Sequence, residues 1–363
     1  MSNNTSTNAS LLEFGGFRVP AGCRRIFITV GLEPSNGDPR IQPTGFPDVG
    51  PVLYPDPSGQ HGLICLIESE ASMANRLEEV CFSNKYEGTL KDTFLGLPYL
   101  RAEAGKRDNR AFKTSSTLDG HRFASDFLAK GKADFGNGEK TLAEYIKTTL
   151  GMNADGKTMP VARIPEVFQL VMELDPMSLV HGFQISNEQI SFVGLRLARA
   201  LTASMVGLNC ERIAVPGIKF NVGQVERESG QAIFQKQRIT AKTIEARFSI
   251  DVGLLASLRL DTPDNGNPGQ RQSARFQLLL AIALWKVAAF LDLLRIELSL
   301  RSECKLRLKD KLQPQYRAEG GASPASGDFP YSSIAAGPFT GEDGLITRAQ
   351  LPADRNPLVL AFA

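Results

Sequence analysis

Two stretches of strict alternation, one on each side of a long apolar run, limit what this chain can fold into. From Thr243 to Val252 the odd positions are Thr, Glu, Arg, Ser and Asp, and the even ones are Ile, Ala, Phe, Ile and Val. Residues 295–312 repeat the pattern: Ile296, Leu298, Leu300, Cys304, Leu306 and Leu308 share one face, and every odd position is polar. A period of two sends alternate side chains to opposite sheet faces, so each stretch reads as a half-buried strand. Between them, entered through the breaker PDNGNPG, Gln272 to Leu291 is apolar on all sides and predicts a long buried helix. Lys286 and Asp292 interrupt the apolar stretch Leu278–Leu294, so no membrane span is expected.

The first half has the complementary pieces. Arg25–Leu32 alternates as a strand, Leu63–Ile67 is a fully apolar one, and Ser72–Cys81 carries the helical stripe Met73, Leu77, Val80 and Cys81. Between those strands, Pro34–Gly59 holds seven prolines and four glycines and reads as an ordered insertion. Leu142–Leu150, Pro165–Leu174 and Leu195–Met205 read as further helices. Residues 1–16 read as a disordered polar tail, and Ala318–Gly344, with six glycines and three prolines, as an extended arm. Strands and helices mixed over distant stretches give an α+β class, with a split βαβ, ferredoxin-like core as the expected architecture.

The charge balance restricts partners. A net charge of +2 argues against indiscriminate coating by nucleic acid, so any polyanion must meet a locally basic face. Five cysteines, without a CxxC pair, favour a reducing compartment. The N-terminus has neither a basic nor an apolar export region, so the expected location is the cytoplasm.

Three segments could provide a basic face. Lys305, Arg307, Lys309 and Lys311 alternate along about 20 Å of strand, spaced like a phosphate backbone or like lysines guarding a sheet edge. Arg101, Lys106, Arg107, Arg110 and Lys113 crowd a loop that runs into TSSTLDGHR, which reads either as hydroxyl-assisted phosphate binding or as a charged surface loop. In IESEASMANRLE (67–78) a strand ends, serines follow, and a helix begins, bringing unpaired N–H groups near Asn75 and Arg76; plain capping is the alternative.

Enzyme patterns are sparse. His61, His121 and His181 lack metal-ligand spacing, and the phosphate-loop, dinucleotide and nucleophile-elbow motifs are missing. Asp48, Asp119 and Asp126 do not group as a metal site, and no aromatic base-stacking motif is present. No cofactor and no metal are expected.

QPTGFPDVG (42–50), IESEASMANRLE, TSSTLDGHR, DPMSLVHGF (175–183) and PGIKF (216–220) occur in this order. With them the chain resembles the Cas-seven-type (Csb-one) backbone subunit of the type I-U (I-G) CRISPR effector, in the RAMP superfamily. It departs at Gly120, where the family pattern has an Ala-like residue, and at Gly217, a single glycine where two are expected.

The resemblance implies a modified ferredoxin-like (RRM-like) palm with large finger and thumb insertions. One elaborated domain would span 17–363, with the palm over about 24–81 and 210–312, insertions at about 34–60 and 84–175, and a C-terminal arm at 318–363. It further implies head-to-tail copies along a CRISPR RNA that present the guide to a target DNA strand, alongside other Cascade subunits and away from any membrane. By the same analogy Ser69, Ser72, Asn75 and Arg76 hold RNA, supported by Thr114, Ser115, Ser116, His121, Arg122 and Lys219. No catalytic residue is implied. A metal-dependent RNA endonuclease like the type III relatives is the alternative, with Asp48 or Asp119 as its aspartate.

Overall fold

Both alternating stretches enter one antiparallel sheet. The computed structural model describes residues 10–46, 50–106, 109–136, 138–186, 188–213, 218–219, 233–234, 238–261, 268–301, 304–309, 313–321, 324–337, 339–341, 343–352 and 355–362. The elements that matter for the site are, in chain order, β1 (Arg25–Pro34), β2 (Leu63–Glu68), α1 (Glu70–Glu79), β3 (Leu100–Lys106), β4 (Asn109–Ser115), β5 (Leu201–Ile213) and β6 (Arg238–Asp251). They are followed by α2 (Pro268–Ile296), β7 (Leu298–Arg301), β8 (Cys304–Leu308), β9 (Gln315–Glu319) and β10 (Leu358–Phe362).

The main sheet runs β7-β8-β1-β6-β5-β2, with the short strand Leu53–Pro55 beyond β2. Its centre is the pairing of β6 with β5 (Leu201 opposite Ile250, Ile213 opposite Arg238) and with β1 (Ile26 opposite Ile250, Leu32 opposite Ile244). The outer edge of β1 is shared: β8 pairs with Leu32–Pro34 and β9 with Arg25–Thr29. The register buries Ile26, Ile28, Val30 and Leu32 of β1 together with Ile244, Ala246, Phe248 and Ile250 of β6, as the alternation requires.

The helix between the alternating strands is longer than its sequence core, and every residue from Leu278 to Leu284 is fully buried. A helix apolar on all sides must be covered on all sides. Phe290 of α2 meets Phe248 of β6 at 6.0 Å between ring centroids, and the helices Tyr331–Ala335 and Leu345–Ala349 pack on α2 as well. The Trp285 indole donates to the Ala335 carbonyl at 3.0 Å and lies edge-on to Phe94. By length and composition α2 could cross a bilayer; here it is the core helix.

A second sheet is ordered β4-β3-β10, then Lys132–Asp134 and Glu139–Thr141. β10 runs parallel to β3, with Leu100 opposite Leu358, so the chain's last described strand is an inner strand of that sheet.

Four expectations need correction. Ser10–Phe14 pairs with Phe17–Pro20 and buries Leu12 and Phe14, so residues 10–16 are part of a hairpin and not of a tail; residues 1–9 lie outside the described residues. The C-terminal arm is packed structure: Phe329, Phe339, Leu345 and Leu360 are buried, and the glycines and prolines punctuate short elements. Leu195–Met205 is not a helix: Leu195–Leu197 ends the strand Ser191–Leu197, paired with Phe183–Ser186, and Leu201–Met205 opens β5, where Leu201, Ala203 and Met205 bury at period two; the second run of main-sheet strands thus starts at Leu201 rather than at about 210. The basic segment 101–113 is the β3–β4 hairpin, with Arg101 opposite Ser115.

Candidate nucleic-acid interface

α1 begins where β2 runs out of apolar residues. Ser69 has extended backbone geometry, and its hydroxyl accepts from the Ser72 amide at 3.3 Å, a helix N-cap. Glu70 in the first turn complements the helix dipole. Met73, Ala74, Leu77 and Glu78 point inward; Asn75 is exposed, and Ser72 and Arg76 are half-buried. Fully burying Met73 and Leu77 contributes about 1.5–3 kcal/mol each, which holds the helix against the sheet.

Behind the polar face lies a charged node. Glu68, almost fully buried at the end of β2, receives the Ser72 hydroxyl and pairs with two arginines. Arg76 stands 3.7 Å from it and donates to the Leu300 carbonyl at 3.5 Å. Arg301 of β7 donates to Glu68 at 2.9 Å, to the Ile67 carbonyl at 2.6 Å and to the Gln42 carbonyl at 2.9 Å. Two cations thus meet one buried carboxylate, with Glu70 exposed in the adjoining first turn. Arg301 and Glu68 are absent from the sequence-derived set; their only signal is a polar odd position in the alternation and an acid closing an apolar strand.

The second group of expected ligands is mostly interior. Thr114, Ser115, Ser116 and Arg122 are buried, so the folded chain presents almost none of their surface to a ligand. The Ser116 hydroxyl accepts from the Leu100 amide at 3.1 Å, and that of Ser115 from the Leu118 amide at 3.3 Å: these hydroxyls close a turn. Arg122 adopts left-handed backbone geometry (φ 46°) and donates to Ser116 and Gly182 carbonyls at 3.0 and 2.8 Å. Its third contact is an ion pair with Glu78 of α1. The turn is thereby tied to the inner side of the helix whose outer side carries Asn75. Burial, opposed by Arg122 and Lys286, pushes the Glu78 carboxyl above its usual range.

His121 is exposed, and its amide donates to the Asp119 carboxylate at 2.9 Å. Lys219 sits in the two-residue strand Ile218–Lys219, paired with Ile233–Phe234. Asp48, Arg107 and Lys311 lie outside the described residues.

The alternating basic strand does not form a free line of charge. β8 lies between β7 and β1, so it is no sheet edge; Lys305 pairs with Glu297 at 3.5 Å and Arg307 with Glu33 at 2.8 Å. On the β3–β4 hairpin, Arg101 pairs with Glu103 at 2.9 Å and covers the Phe112 ring at 4.7 Å, while Arg110 and Lys113 are exposed.

Histidine chemistry has no constellation here. His181 is buried, and among the described residues neither ring nitrogen is hydrogen-bonded; burial first, then Lys286, Arg122 and Arg199, hold its pKa well below the usual value. Among the described residues no three His, Cys, Asp or Glu side chains group as a metal site. All five cysteines are free and buried.

A mixed α/β protein of several sheets, with a polar strand-to-helix junction that holds two arginines, is the class that fold and site define. The model of one family, CRISPR-associated protein GSU0053, matches residues 26–212, just over half of the chain and all of the junction. The chain belongs to this Cas-seven-type family. A solved chain described as "CRISPR RNA-guided surveillance complex, pre-nicking" aligns at 13% identity with a TM-score of 0.33, over 88% of this chain and 83% of that one. No curated protein matches in sequence.

Proposed function

We propose that this protein is the guide-binding backbone subunit of a type I-U (I-G) Cascade in the cytoplasm. On this reading it polymerises head to tail along CRISPR RNA, presents the guide to a target DNA strand, and cuts nothing itself. The observation that carries the reading is the β2–α1 junction, where Asn75 is exposed and Ser72 and Arg76, half-buried, border the Glu68–Arg301 node. Amide, hydroxyl and guanidinium groups there suit a repeating phosphate chain and read no base edge.

The palm reading draws support from strand order. In the series β1-α1-β5-β6-α2-β8, the sheet order β8-β1-β6-β5 is the 4-1-3-2 arrangement of a ferredoxin-like core, and all three neighbouring pairs are antiparallel. β2 then extends that core, and the β3–β4 hairpin, with exposed Arg110 and Lys113, is the candidate thumb.

The test is length-dependent binding of the purified chain to single-stranded RNA, with magnesium present and the RNA examined afterwards. Tight, sequence-tolerant binding that strengthens with RNA length and leaves the RNA intact is expected. Failure to prefer single-stranded RNA at low salt would refute the reading; regularly spaced cuts, lost on an Asp119→Ala or Asp48→Ala change, would replace it with the nuclease.

A further inference from the structure

Past Arg76 the outer face of α1 runs into a hollow of about 340 Å³, within the size range of small-ligand pockets. Its floor is Val80, Phe82 and Phe290, all buried, and one wall is Leu293 of α2, 45% exposed, next to Leu298. Tyr86, 83% exposed, also lines it. Lys85 lies over the Tyr86 ring at 5.6 Å and is anchored to Glu79 at 3.0 Å, leaving the remaining ring surface open. Arg76 borders both the junction and the hollow, and its Nε, although buried, makes no hydrogen bond among the described residues.

We propose that this hollow receives one unpaired base of the strand whose sugar-phosphate chain lies along α1. The inference rests on the RNA-binding reading and adds a subsite to it. Apolar floor and wall accept a flat ring, Tyr86 offers a stacking face that any base can use, and Arg76 stands where the attached phosphate enters. Arg76 and Lys85 against Glu79 leave the rim with a net positive charge, which suits a nucleotide better than a neutral apolar side chain. Such a pocket lets the subunit grip bases without reading their identity.

The experiment compares binding of the full-length chain to oligoadenylate and to an abasic ribose-phosphate oligomer of equal length. Wild type is expected to prefer the oligomer with bases about tenfold. Tyr86→Ala, at an exposed position, removes that preference and leaves abasic binding unchanged, whereas Tyr86→Phe keeps it. Arg76→Ala weakens both. A wild type with no preference, or a Tyr86→Ala variant that retains it, overturns the subsite while leaving RNA binding in place. Loss of self-association by Tyr86→Ala without RNA, with the base preference intact, hands the hollow to a protein neighbour. A wild type that binds neither oligomer removes the functional reading together with this one.

Discussion

Arg122 separates a structural role from an RNA-binding one, because the family resemblance placed it at the RNA and the structure places it inside. Its guanidinium joins three parts of the fold: the Ser116 turn, the Gly182 carbonyl and Glu78 of α1. The two charged side chains are only 7% and 4% exposed. Arg122→Met keeps much of the volume and leaves a buried carboxylate without its partner. Removing one member of a buried pair costs about 3–5 kcal/mol, a large fraction of the total stability of about 5–15 kcal/mol usual for folded domains. In urea the unfolding midpoint should fall accordingly with an unchanged slope. Combining Arg122→Met with Glu78→Met should recover part of the loss, because the stranded Glu78 carboxylate is then gone, while buried Lys286 loses its acidic neighbour.

The pH dependence gives an independent check. Folding raises the Glu78 pKa, so the folded state binds the proton more tightly and stability falls as pH rises from the unfolded value, 4.5, through the folded one. Without Arg122 the main opposing influence is gone and the folded value climbs further. The variant's deficit should therefore be smaller at pH 5 than at pH 8. A stability loss below about 1 kcal/mol, in the range of an exposed pair, combined with lost RNA affinity would refute the reasoning and return Arg122 to the RNA.

Arg76→Ala should weaken RNA binding uniformly across sequences and lower the salt slope by about one unit, measured by titration from low to moderate salt; an unchanged slope takes Arg76 out of the interface. Replacing Lys305 and Arg307 by Ser removes two partly exposed ion pairs, so a stability change below about 1 kcal/mol and an unchanged salt slope are expected. Gly182→Ala should cost about 1–3 kcal/mol in unfolding experiments, because φ is +77° and the added Cβ would lie 2.7 Å from the Leu197 carbonyl oxygen. Native thiols should resist alkylation at pH 8 and all react after denaturation, because burial pushes Cys65 up to about 12 and Cys210 up to about 11.

Legibility in the sequence follows the range of the interaction that decides each feature. The period-two faces of 243–252 and 296–308 and the apolar helix between them are local patterns, and they mark β6, β8 and α2. Leu195–Met205 has apolar residues at both helical and strand spacings; pairing decides the matter, of Leu197 with Phe183 and of Met205 with Ala246, 41 residues downstream. Ser69 as a helix cap is equally local. The inward turn of Arg122 is not, since Glu78 and Gly182 lie 44 and 60 residues away. A sequence lists hydroxyls and cations but does not say which of them the fold uses up.

That difference bears directly on how a nearly neutral chain can hold a polyanion. Arg122, Arg301, Arg307, Lys305 and Arg101 all have acidic partners, so they contribute little to a phosphate chain. On the described interface what remains is Arg76, shared with Glu68, the α1 polar face, and Arg110 and Lys113 on the hairpin. Affinity falls with salt in proportion to the phosphates neutralised, so a single copy with so few cations should bind weakly and with a shallow slope. On the proposed reading, tight binding comes from many copies on one strand, where each added subunit binds at the high effective concentration set by its neighbours. On that reading, the cations described on this face are too few to hold an unassembled copy on unrelated nucleic acid.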